Sequence, residues 1–197
     1  MDDGTSDLCG IDELLVSKNV FKCSDVGENE VVFTASDFSG NVNTQPVNVT
    51  VLDMFAPNIS LRVDNLDLNS TGLLGVAAGD VANIDDACTV VSTSISPNLT
   101  SCHDVNHSVD FLLTATDSSG NTARAYHSVR IHDITSPVLR LTDSPVVALN
   151  ASGTGVFSAH AFDTGTFDAC GVEFIASESA VSCANTVDPL EVSIFAD

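Results

Sequence analysis

Ala35-Ser36-Asp37-Phe38-Ser39-Gly40-Asn41 returns as Ala115-Thr116-Asp117-Ser118-Ser119-Gly120-Asn121, and the two aspartates stand 80 positions apart. Working outward, Ala56-Pro57 returns as Ser136-Pro137 and Asp53 as Asp133, at the same offset of 80. Cys9-Gly10 matches Cys170-Gly171, with Cys88-Thr89 between them, and Phe195-Ala196-Asp197 stands where a third copy of the aspartate turn would open. Independent landmarks at one spacing are the mark of internal repeats. The expected division is residues 1–54 as the back part of one repeat, 55–135 as a complete repeat, and 136–197 as a third that lacks its last strands. Met1 is followed by Asp2 and Asp3 rather than by a basic and then apolar run. It therefore reads as an added start, or the chain as an excerpt of a longer array.

Between the landmarks lie short runs rich in β-branched and apolar residues, bounded by Asn, Asp, Ser and Gly. Such runs read as strands. They are Ile59–Val63, Gly72–Ala78, Thr89–Ser96, Val109–Thr116 and Thr122–His132 in the complete copy, and Glu30–Ala35 and Val42–Leu52 in the first. In the 122–132 run, Ala123, Ala125, Ser128-Val129 and Ile131 are the candidate inward positions. The only helix-like stretch, Ala78–Ala87, is short and Asp-rich. About seven short strands per repeat predicts an all-β chain of tandem immunoglobulin-like β-sandwich repeats of about 80 residues. In the third copy Phe157, Phe162 and Phe167 either fill a core or cover a lateral contact.

The chain has 197 residues, 44% of them hydrophobic, with 27 acidic and 6 basic side chains and a net charge of −21. Most of the acid is Asp, which favours turns and cation sites. A field this negative repels nucleic acid and anionic membrane, so neither is an expected partner. No run approaches the roughly 18 apolar residues of a membrane span, so direct membrane insertion is not expected either.

Six cysteines fall as Cys9/Cys23, Cys88/Cys102 and Cys170/Cys183, at offsets of 14, 14 and 13. One pair per repeat predicts three bonds, each inside its own repeat, stabilising by roughly 3 kcal/mol apiece. Zinc competes for such residues but calls for ligands clustered as in Cys-x-x-Cys, and only His103 adjoins a cysteine. Disulfides place the chain in an oxidising compartment, extracellular or periplasmic, and the expected location is the extracellular cell surface. Asn-x-Ser/Thr sequons at Asn48, Asn58, Asn69, Asn98, Asn106 and Asn150 are candidate glycosylation sites on an exposed surface.

Acidic residues precede the first cysteine of every copy: Asp2, Asp3 and Asp7, then Asp80, Asp85 and Asp86, then Asp163 and Asp168. With the turn residues Asp37 and Asp117 and the junction residues Asp53 and Asp133, these suggest structural calcium, which takes six to eight hard oxygens. The candidate ligands are Asp37, Asp53, Asp85, Asp86, Asp117 and Asp133. The competing reading is that Asp caps turns through local backbone contacts and faces solvent. No catalytic set is expected. The five histidines lack zinc-protease spacing, no Gly-x-Ser-x-Gly occurs, and Gly153 and Gly155 precede no Lys-Ser/Thr.

Asp7-Leu8-Cys9-Gly10-Ile11, the run Ser17–Gly27, Thr34–Asp37 with Ser39-Gly40-Asn41, and Val49–Pro57 resemble the hyalin-repeat class, above all its relatives in large cell-surface adhesins of gliding bacteria. Thr114–Asn121, Val129–Pro137 and Asp168-Ala169-Cys170-Gly171 carry the same resemblance. It departs at Thr89, where glycine is usual after the cysteine, and in the expanded segment Ala151–Thr166. The resemblance implies tandem arrays, surface display, and a role in adhesion or filament building. The expected function is a structural repeat segment of an extracellular adhesin, stalk or filament, with neighbouring repeats and self-association into filaments as its contacts. The alternative is a module that binds a surface glycan or protein. Exposed aromatics would favour that alternative, and tryptophan is absent here.

Overall fold

The computed structural model describes residues 4–143, 146–176, 180–182 and 194–196. The strands are β1 (Ile11–Val16), β2 (Gly27–Asp37), β3 (Val42–Val51), β4 (Asn58–Leu61), β5 (Asn65–Asp67), β6 (Leu73–Gly75), β7 (Ala82–Asp85), β8 (Val90–Ser96), β9 (Leu99–Ser101), β10 (Ser108–Asp117), β11 (Thr122–His132), β12 (Thr154–Val156), β13 (Phe174–Ala176), β14 (Ala180–Ser182) and β15 (Ile194–Ala196). One helical turn, Ala78–Val81, and three 3-10 turns complete the described elements.

The chain is all-β, but it is not a series of immunoglobulin-like sandwiches. Among the described residues the strands form six small sheets: β1-β2-β3, β5-β11-β10-β8, and the pairs β4-β7, β6-β9, β12-β14 and β13-β15. A sandwich needs two broad sheets facing each other. Here the pairs β4-β7 and β6-β9 span only four and three residues and stay separate from each other. The short runs identified strands correctly, but run length and composition do not specify partners. β5 joins β11 in parallel, Asn65 to Asp67 against Arg130 to His132, which no hairpin reading of neighbouring runs would give.

Compact packing divides the chain into two interleaved units, 1–62 with 82–94 and 113–125, and 63–81 with 95–112 and 126–197. In the first, β2 and β3 form a continuous antiparallel ladder from Gly27↔Val51 to Ser36↔Val42, and β1 pairs antiparallel with β2 with a register shift between Ile11 and Glu13. Only Val31 of this sheet is fully buried, while Leu14, Leu15, Val42 and Val47 are exposed. In the second, Leu68, Val76, Val81, Phe111, Val129 and Ile131 form the buried core. Strict alternation builds it. Inward residues of β11 fall at every second position from Ala123 to Ile131, so Ser128 faces out and His127 faces in. Phe162 is buried, with the Phe157 ring edge-on at 5.0 Å, while Phe167 remains exposed. Two of the three phenylalanines thus fill a local core.

The two aspartate turns are built alike. Asp37 Oδ1 accepts the N–H groups of Ser39 and Asn41, both at 2.8 Å, and Asp117 Oδ1 accepts those of Ser119 and Asn121 at 2.9 and 2.8 Å. Asn41 and Asn121 each return a side-chain bond to their aspartate at 2.7 and 2.8 Å. Gly40 and Gly120 take φ of 82° and 90°, a left-handed backbone that only glycine adopts without penalty.

Candidate metal centres and the disulfide series

The expected pairing within repeats is overturned. Cys23 is bonded to Cys88 and Cys102 to Cys170, with Cα atoms 5.0 and 4.9 Å apart. Cys9–Cys23, Cys88–Cys102 and Cys170–Cys183 therefore do not form, and Cys9 is free and exposed. Cys183 lies outside the described residues. Each bond joins the later cysteine of one sequence copy to the earlier cysteine of the next, across 65 and 68 residues. Equal spacing inside each copy suggested local closure, but a cysteine that recurs with the repeat meets two candidate partners, and only the fold chooses between them.

The local structure prepares both ends of each bond. Cys23 and Cys102 each open a 3-10 turn, Cys23–Asp25 and Cys102–Asp104. The third residue's carboxylate accepts the N–H ahead of the turn, Lys22 to Asp25 and Ser101 to Asp104, both at 2.8 Å. At the receiving end an aspartate two residues earlier accepts the cysteine N–H: Asp86 Oδ1 from Cys88 at 2.7 Å and Asp168 Oδ1 from Cys170 at 2.8 Å. Gly72 is required by close approach. A Cβ there would stand 2.4 Å from Cys102 Sγ, and its φ of 72° already lies in the left-handed region.

Beside each bond lies one acidic cluster. Asp53, Asp86 and Cys88 each offer an atom within 4.8 Å of the others, and so do Asp133, Asp168 and Cys170. Cys88 and Cys170 are already spent in disulfides, so the usable ligands are two carboxylates per cluster. Oxygen donors of this kind suit a hard cation, Ca²⁺ or Mg²⁺, over a thiolate-seeking ion. In the second cluster Asp168 Oδ2 is buried with no hydrogen-bond partner, and a groove of about 570 Å³ lined by Asn106, Asp133, Thr135, Pro137 and Asp168 opens there. A buried carboxylate oxygen without a donor is costly unless something positive meets it, so the residues fit a bound cation.

Of the six candidate metal ligands, Asp53, Asp86 and Asp133 enter these clusters. Asp85 is exposed on β7 and accepts the Asn58 side chain at 3.4 Å. Asp37 and Asp117 are held in their own turns. Asp117 is fully buried. Burial pushes its carboxyl up, but bonds from the Asn121 side chain and from the N–H groups of Asn121, Ser119 and Gly120 outweigh this and hold it below the usual value. Asp37 is held low chiefly by the Asn41 side chain and N–H. Asn121 also donates to the carbonyls of Asp53 and Phe55 at 3.1 and 3.3 Å, and Ser119 to Asp53 Oδ2 at 3.3 Å. These bonds tie the turn to the Asp53 junction. Asp168 is the ligand that the candidate set lacked, although Asp168-x-Cys170 repeats the spacing of Asp86-x-Cys88.

All six sequon asparagines, Asn48, Asn58, Asn69, Asn98, Asn106 and Asn150, are exposed. Asn69 and Asn150 anchor matching turns through their side-chain oxygens. No helix among the described residues is long and apolar enough to cross a membrane. Comparison with protein-family models and with characterised proteins finds no match to this chain.

Proposed function

We propose that this chain is a non-catalytic structural segment of an extracellular adhesin, stalk or filament, built from hyalin-like sequence repeats coupled in series. The observation that carries the reading is the pair of bonds Cys23–Cys88 and Cys102–Cys170, each reaching from one sequence copy into the next. A disulfide inside a repeat would stabilise that repeat alone. One that reaches into the next sequence copy closes most of a repeat's length into a loop, with both cysteines inside one compact unit, and shields that loop from a pull on the chain ends, which suits a segment under tension. Persistent disulfides belong to oxidising compartments, in keeping with surface display, and the exposed sequons suit a glycosylated exterior. Calcium at Asp53/Asp86 and Asp133/Asp168 would add a cation beside each covalent link.

Immunogold imaging of cells that produce the protein tests the reading. Label along thin projections outside the cell is expected. Label confined to the cell interior would refute it, and label only at the tips of projections built from another protein would favour the binding-module alternative.

A further inference from the structure

Two sheet faces carry opposite charges at one spacing. On β11, Arg124, Tyr126, Ser128 and Arg130 alternate with the inward residues and are all exposed. Tyr126, the only tyrosine of the chain, is 76% exposed. Six residues of strand set the two arginines about 20 Å apart. Among the described residues the ion pairs are Lys18 with Asp25 and His127 with Asp64. Both guanidinium groups thus lack a carboxylate there, in a chain with 27 acidic residues. On the first sheet, Glu13 pairs with Ser36 and Leu15 with Thr34. Ser36, Thr34 and Glu30 share one face of β2, so Glu13, Leu15 and Glu30 lie on a common face. All three are exposed, Leu15 by 52%. Ser36 stands six residues from Glu30, so these two carboxylates are also about 20 Å apart. In both sets the apolar side chain sits two positions from the first charge and four from the second. Neither set belongs to the repeat. At the offset of 80, Thr44, Pro46 and Thr50 stand in place of Arg124, Tyr126 and Arg130, and at the cysteine offset of 79, Ser92 and Ser94 stand in place of Glu13 and Leu15.

We propose that the Arg124/Tyr126/Arg130 face docks on the Glu13/Leu15/Glu30 face of a second copy of this chain. Arg124 meets Glu13, Tyr126 covers Leu15 and Arg130 meets Glu30. Charge complementarity at matched spacing selects this occupant. Tyr and Arg are residue types that carry much of the energy of interfaces, and a guanidinium grips a carboxylate through two parallel bonds. Unlike faces meet, so the contact is heterologous. Each copy keeps one face free, and growth continues past a dimer. Asn48 pairs with Glu30 across the sheet, so a glycan on this sequon would close one end of the acceptor. The inference names the self-contact of the filament reading and rests on it. Failure of the contact would appear in sedimentation alone, whereas failure of that reading would appear in the immunogold images.

The experiment is sedimentation equilibrium of the full chain, free of N-glycans and with free thiols alkylated, at about 0.15 M ionic strength. The mean mass is expected to rise with concentration beyond that of a dimer. Arg124→Glu/Arg130→Glu should weaken association at least tenfold, and so should Glu13→Arg/Glu30→Arg. The first pair makes the net charge of −21 more negative and the second makes it less so, so general repulsion would move the two variants in opposite directions. The chain with all four reversals should associate like the wild type, which also shows that the altered faces still fold. A wild type that stays monomeric or stops at a dimer overturns the proposal. So do reversals that leave association unchanged or shift it in opposite directions, and four reversals that fail to restore it. A monomeric wild type retained on dextran sulfate, with retention lost in Arg124→Glu/Arg130→Glu, would assign the cationic face to an anionic glycan instead.

Discussion

Stretching the chain by its ends reads the disulfide pairing directly as a length. An extended chain spans about 3.5 Å per residue, so 197 residues free of cross-links reach about 690 Å. The bonds Cys23–Cys88 and Cys102–Cys170 remove 65 and 68 residues from the load path and replace them with gaps of 5.0 and 4.9 Å. About 63 steps remain, and the oxidised chain should stop at about 230 Å. Pairing within repeats would hide only three short loops and leave a limit of about 560 Å. Single-molecule force spectroscopy between tethered ends, before and after a reductant, separates these cases. The expected record shows about 230 Å when oxidised and a further gain of about 460 Å after reduction. An oxidised limit at the longer of the two lengths would refute the serial arrangement and the functional reading built on it.

Further expectations concern the clusters, the glycine contact and the turns. At a hundredfold excess over its Kd, calcium should stabilise a site by about 2.7 kcal/mol. Melting with calcium and with a chelator checks this, and Asp168→Asn should remove the response of the second cluster; identical melts in all conditions would exclude the cation. Gly72→Ala should destabilise by about 2–4 kcal/mol, from overpacking against Cys102 and strain at positive φ, while Gly75→Ala, with open space around its Cβ, should cost far less in the same urea titration. Asp37, Asp117 and Asp163 all have carboxyl pKa values held below the ordinary 3.8 in the fold. The unfolded chain therefore takes up protons first as pH falls. Their stabilisation is complete above about pH 5 and is lost through pH 3.8 and below, so Tm measured from about pH 7 to about 2.5 should drop in that window, and less steeply in Asp117→Asn.

The sequence made local matters legible and left pairings open. The aspartate turn was readable because its chemistry lies within five residues: one carboxylate, two N–H groups and a glycine that takes positive φ. β10 and β11 are readable because their alternation is strong, yet the apolar Val129 draws the adjacent Ser128 into the same face in a reading by composition, whereas Ser128 is exposed. β5 and β9, three residues each, are too short to show a period at all. The sandwich expectation failed for a related reason. Strand number and repeat length fix how much chain is extended but not which edges meet, and the parallel join of β5 to β11 depends on the whole intervening chain.

The cysteines show the same limit most sharply, and they connect it to function. In a periodic sequence a bond inside the repeat and a bond to the next repeat leave identical spacings, so no count of residues separates them. Loop entropy favours neither decisively: closing about 65 residues is worth about 4 kcal/mol against about 3 for about 14. What decides is where the fold sets the 3-10 turn of one copy against the Asp-x-Cys of the next. That same meeting point collects Asp53 with Asp86 and Asp133 with Asp168. The acids that read as turn caps in isolation therefore gather beside the bonds that join successive sequence copies, and a cation there would act on the same bond inside each compact unit.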